Sequence, residues 1–223
     1  MLALLIEKLL LKTLKEQIMN SVNNKTCFAE VLQTTIDTWQ GQCWQWDIMP
    51  EFGALITVPC QDRIMFGIIY AITTSPIDAI RQPVAYQKTQ EELAKEQPQI
   101  FEFLTTSFSC LALGYQEKNK IFYNLPPQPP KIHSFVHHAT DQQYADFFSH
   151  EQFLYLLFNS KIPLNIQELL LAVIQHQLKR KCMTKNRLSS FVEAFFMLNK
   201  NNYLQTKMFL SRLEQLVSNY DVV

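Results

Sequence analysis

His133, His137 and His138 form the only histidine cluster in the chain, and their spacing could serve a metal ion. On a strand His133 and His137 share a face, and on a helix they stand one turn apart, so two imidazoles could converge. His150 and His176 are distant in sequence, and no Cys or acid lies among the three or within two residues of them to complete a ligand set. A packing or surface cluster with no metal is therefore expected. Trp44 and Trp46 suggest another chemistry. They project from one strand face with Gln42, and aromatic faces on barrels can stack unpaired bases. The competing reading is that these rings, with Trp39, fill a core or an internal interface. The third candidate is Lys179-Arg180-Lys181 with Lys185 and Arg187, the only basic cluster, with no acid between Glu168 and Glu193. Such cations suit an acidic partner or a phosphate backbone, but they also complement the C-terminal end of a helix dipole.

No catalytic constellation is legible. G-x-S-x-G and H-E-x-x-H are absent, and Glu91, Glu92 and Glu96 read as the solvated face of a short helix. The four glycines, Gly41, Gly53, Gly67 and Gly114, form no phosphate-cradling loop. No cofactor and no enzymatic activity are expected. With 20 Lys+Arg against 20 Asp+Glu, the chain lacks the basic surplus of a general nucleic-acid or anionic-membrane binder. Cys27, Cys43, Cys60, Cys110 and Cys182 are odd in number and contain no C-x-x-C, so neither a disulfide frame nor a zinc knuckle is suggested. No apolar run is long enough for a membrane span, and a cytoplasmic location is expected.

The elements that must position these residues follow from periodicity. Residues 1–20 carry Leu2, Leu5, Ile6, Leu9 and Leu10 as a stripe opposite Lys8, Lys12, Lys15 and Glu16, an amphipathic helix. Whether this segment belongs to the physiological chain is open at this point. From Cys27 the pattern alternates. Cys27–Thr35, Thr38–Asp47, Ala54–Pro59, Arg63–Thr73, Phe108–Gln116 and Ile121–Asn124 read as six short strands. Six strands with tight turns suggest a small closed barrel. An insertion at 74–106 carries a helix capped by Thr89-x-x-Glu92 and a second helical turn after Pro98, and it is where specificity is expected. The run Leu125 to Pro130 reads as a stiff polyproline boundary. Helices are then expected after Thr140-x-x-Gln143, from Asn165, from Ser190-x-x-Glu193, and over Tyr203–Ser218.

The stretch from Pro50 to Val58 followed by Ile64 to Ile72 resembles the HAS barrel shared by HerA-type DNA translocases and F1 ATP synthase subunits. Gly53 precedes a strand and Gly67 sits within the next, as the family's glycines do. The Pro126–Pro130 run, Ile132 to Val136 and the helical tail are similar to stand-alone cyanobacterial HAS-barrel proteins. The P-loop ATPase core of the larger relatives has no counterpart here, so the resemblance implies docking and assembly, not ATP hydrolysis.

The sequence thus predicts an α+β protein: an amphipathic helix at 1–24, a six-stranded HAS-like barrel at 25–125 with its helical insertion, a Pro-rich linker at 126–139, and an α-helical bundle at 140–223. The expected role is a non-enzymatic interaction or assembly module with a protein partner or a second copy of itself. The alternative is a nucleic-acid-binding accessory protein using the tryptophan face and the Lys179–Arg187 patch.

Overall fold

Alternation in the first half of the chain builds a ring of strands. The computed structural model describes residues 27–78, 83–200 and 203–220. The striped segment 1–20 lies outside these described residues. Strands β1 (Cys27–Thr34), β2 (Thr38–Cys43), β3 (Leu55–Cys60), β4 (Arg63–Pro76) and β5 (Leu104–Glu117) are followed by β6 (Lys120–Phe122) and β7 (Phe135–His138). Six of them close an antiparallel barrel in the order β1-β7-β3-β4-β5-β2, sealed by pairing of β2 with β5; β6 adds to the other end of β5.

The closing strand corrects the sequence reading. Ile121–Asn124 was the expected sixth strand, yet the ring is completed by Phe135–His138, from the stretch expected to be a linker. Four residues offer too little alternation to stand out. They are also preceded by prolines and by His133 at φ 65°. Once in place the strand is well determined: Val136 is fully buried, and β7 bonds to β1 on one side and β3 on the other.

The barrel interior is filled by Trp39, Ile56, Val58, Met65, Ile69 and Phe108, among others. Two glycines make room for the largest rings. A Cβ on Gly67 would lie 2.3 Å from the Trp39 ring, and one on Gly41 would lie 2.5 Å from the Phe108 ring. Neither has a positive φ, so their use is space and not backbone freedom. Gly53 is the opposite case. Its φ of +76° turns the chain into β3, and a Cβ there would meet Ala172 at 2.6 Å.

The second half is helical. Between β4 and β5 stand α1 (Gln90–Glu96) and α2 (Gln99–Glu102). After β7 come α3 (Asp141–Phe147), α4 (Phe153–Phe158), α5 (Ile166–Lys179), α6 (Lys185–Leu198) and α7 (Tyr203–Val217). The expected capping boxes at Thr89/Glu92 and Thr140/Gln143 are formed, and Asn165 caps α5. Ser190 does not start a helix. Thr184 caps α6 and accepts from the Arg187 amide, one turn and a half earlier, placing Ser190 mid-helix. A second core joins the outer faces of β3, β4 and β5, through Leu55, Phe66, Ile68, Leu111 and Leu113, to residues of α3 through α7. Tyr144 locks the junction, its hydroxyl accepting from the Leu55 amide at 2.7 Å. Among the described residues no helix is long and apolar enough to cross a membrane.

Candidate interaction surfaces

Among the described residues, the helices packed on the barrel lie against the outer faces of β3, β4 and β5. On the opposite side, β2, β1 and β7 present an outer wall carrying Leu32, Trp44 and Phe135, with Trp44 49% and Phe135 39% exposed. Their placement follows from the pleat. Glu30 points outward from β1, with Gln42 of β2 and Phe135 of β7 as its Cα partners. The Trp44 amide donates to the Phe28 carbonyl at 3.0 Å, which holds the residue beside β1 just past the end of β2. Its indole Nε1 donates to Glu30 Oε1 at 3.1 Å, and its ring meets Phe135 edge-on, centroids 5.6 Å apart. His133 Nδ1 lies 3.1 Å from Glu30 Oε2. One carboxylate therefore fixes an indole and an imidazole on an open surface.

The tryptophan pair expected to share a face is divided. Trp44 joins the wall, whereas Trp46 stacks on Phe101 of α2, with centroids 5.4 Å apart and planes at 15°. The strand ends at Cys43, so strand alternation does not govern residues 44–46. Glu30, Leu32 and Phe135 were not among the sequence candidates. The signal available was Glu30, the one charge in the apolar run of β1.

The histidine cluster is also divided. His133 lies on the wall, His137 is buried, and His138 stacks flat on Phe28 with centroids 4.1 Å apart. Among the described residues, no group of three His, Cys, Asp or Glu side chains could hold a metal. Near the C-terminal end of α5 a different set meets. His176 is buried, its Nε2 lies 3.0 Å from the Phe52 carbonyl, and its Nδ1 lies 3.7 Å from Glu51. Desolvation lowers the pKa values of His137, His138 and His176. Arg180 adds to the effect at His138 and His176, where Glu51 opposes it.

The basic cluster is largely engaged inside the molecule. Lys179 pairs with Glu51 at 3.4 Å, and Arg180 pairs with Asp141 while covering the Tyr144 ring. Arg187 donates to the carbonyls of Cys182 and Ala145 at 2.6 and 3.0 Å. Lys181 and Lys185 are exposed. Two of the cysteines behave as small core hydrophobes. Burial pushes the Cys43 thiol up to about 11, and Cys110 is raised by burial and by Cys43 beside it.

The second open surface is an arm. β4 and β5 continue past the ring, pairing out to Pro76 and Leu104, and carry α1 and α2 between their ends. Neither α1 nor α2 buries a residue, while Ile77, Val84, Tyr86 and Phe103 are exposed. Two grooves flank α7. One, of about 420 Å³, lies against α5 and Phe52 and is rimmed by the Glu168–Arg212 pair; the other, of about 360 Å³, is lined mainly by apolar residues of α6 and α7.

No protein-family model matches the chain, and no curated protein matches it.

Proposed function

We propose that the chain is a non-enzymatic interaction module of the HAS-barrel type, which docks on a larger protein assembly through the β4–β5 arm and its helical tail. The observation that carries this reading is the arm. A seven-residue helix is marginal in water by itself, and a helix that buries none of its residues adds little to the chain's own core. Exposed Ile77, Val84, Tyr86 and Phe103 gain burial only when something covers them. The HAS resemblance draws support from Gly53, whose positive φ falls at the strand entry where the family places a glycine.

Pro76 and Leu104 are cross-strand neighbours, so an Asn-Gly turn can replace residues 77–103 in the otherwise intact chain. The shortened protein should keep its thermal midpoint within a few degrees, because the contact it loses is the half-buried Trp46–Phe101 stack and no fully buried core residue goes with it. It should lose the partner retained by the intact chain in its native host. Equal retention of that partner without the arm would remove the arm from the reading. No partner for the intact chain would remove the module itself.

The nucleic-acid alternative is the weaker reading, because Trp44 and Trp46 do not form a shared platform and three of the five cations have internal partners. Titration with single- and double-stranded DNA at two salt concentrations should give no salt-dependent binding.

A further inference from the structure

Where β3 turns into β4, the end of the hairpin and the proline-rich strap leading to β7 enclose a cleft of about 170 Å³. It lies at the opposite end of β4 from the arm. We propose that this cleft binds a small organic anion, its carboxylate or phosphate head set against Arg63 and Lys131 and its compact apolar body against Pro59, Met65, Pro126 and Pro129. The proposal does not depend on the arm or on any protein partner.

The walls of the cleft are fixed before any ligand arrives. Cys60 and Arg63 are cross-strand neighbours, so Gln61 and Asp62 form a two-residue turn, with Gln61 in the left-handed region at φ 53°. The strap is anchored by buried Pro126 and buried Pro130, and its proline rings restrict the backbone between them. Beyond it the Ser134 amide donates to the Lys131 carbonyl at 3.1 Å, and the His133 amide donates to the Val31 carbonyl at 2.8 Å. Lys131 is therefore held in a turn tied to β1. A site that needs so little ordering loses little affinity to entropy.

Charge and size select the ligand. Arg63 and Lys131 line the cleft and, among the described residues, no carboxylate does. Glu117 is the acid that faces Arg63. Its Oε1 accepts from Nε at 3.2 Å and lies 3.1 Å from Nη2, while Nη1 has no hydrogen-bond partner among the described residues. Asp62, in the turn, is exposed and does not line the cleft. Burial raises the pKa of the Cys60 thiol, and the Lys131 amide and ammonium pull the other way, which places that ammonium beside a lining residue. Lys131 forms no ion pair among the described residues. The unused Nη1 and the ammonium can each give a charge-assisted hydrogen bond to an oxyanion. Cavities of about 150 Å³ hold a benzene ring, whereas drug-sized ligands need about 300 Å³ or more, so a single ring or a short chain fits.

The test titrates benzoate, phenyl phosphate and neutral benzyl alcohol into the full 15N-labelled chain at low salt, read by amide chemical shifts. The expected result is saturable one-to-one binding of at least one anion, with shifts concentrated at residues 60–65 and 126–134. The tighter of the two identifies the head group. Lys131→Gln should raise the dissociation constant about tenfold, the loss of one charge-assisted contact. Gln128→Glu sets a carboxylate on the lining and should weaken binding comparably. Both positions are exposed, and an unchanged thermal midpoint shows that each variant folds. Lys185→Gln, exposed on α6, should leave the affinity unchanged. No saturable binding of either anion at millimolar concentration, shifts centred elsewhere, or benzyl alcohol binding as tightly as the anions would each overturn the proposal. So would an affinity unchanged in both cleft variants, or lowered equally by Lys185→Gln.

Discussion

Trp39 is nearly completely buried, and its indole N–H has no hydrogen-bond partner among the described residues. The ring is held by shape, in the space left by the absent Cβ of Gly67. Gly67→Ala should therefore destabilise the protein by about 1–3 kcal/mol in urea unfolding, the usual range for overpacking. Trp39→Phe should recover part of that loss, because a smaller ring vacates the contested space and removes an unpaired donor. Additive effects of the two substitutions would show that they do not share this space. Tyr144→Phe tests a different bond. Deleting the hydroxyl leaves the buried Leu55 amide unpaired, at a cost of about 1–3 kcal/mol, and the denaturant midpoint would report it. Gly67 was legible from sequence as a barrel glycine, but its reason was not. Spacing cannot reveal that the ring opposite belongs to Trp39, whose strand is not hydrogen-bonded to β4.

At the scale of elements, two helices with the same capping motif should respond differently. Thr89 caps α1 and Thr140 caps α3, and each closes a reciprocal box. α3 buries Tyr144 and Phe147, whereas α1 buries nothing. Thr140→Ala should cost about 1 kcal/mol of global stability. Thr89→Ala should leave the denaturant midpoint unchanged and appear only as faster amide exchange in residues 90–96. Equal effects on the midpoint would mean that the arm is coupled to the core. Both caps were legible because a capping box is a local pattern of four residues. The closing strand β7 was not, because its four residues have no local signature and depend on edges offered by β1 and β3. The fate of the Lys179–Arg187 cations was hidden for a related reason. Asp141, Glu51 and the Ala145 carbonyl lie more than 35 residues away in sequence, and only the docking of α5 and α6 brings them near. Trp44 and Trp46 were misplaced because the strand was expected to run to Asp47 and stops at Cys43.

For the molecule as a whole, the histidines join the barrel's pH response to that of the helices. His137 and His138 belong to β7, the strand that closes the ring, and His176 belongs to α5, which packs against the turn into β3. All three are held below their ordinary pKa, with desolvation the largest cause. The unfolded chain therefore takes up protons at a higher pH than the folded one. Stability contributed by these groups is present above the unfolded value of about 6.5 and declines as pH falls through the interval down to the folded values. The thermal midpoint should thus drop progressively between pH 7.5 and 5.5, before carboxylates begin to titrate. Around His176 the charges divide, with Lys179 and Arg180 favouring the neutral ring and Glu51 the cation. His176→Gln supplies an uncharged amide that can still donate to the Phe52 carbonyl, so it should flatten the slope while changing the midpoint little at pH 7.5. A slope unchanged by His176→Gln would place the response in β7 alone. A midpoint independent of pH across the interval would mean that the three imidazoles are no harder to protonate in the fold than in the unfolded chain. The barrel and the helices would then lack the common acid response that their shared junction implies.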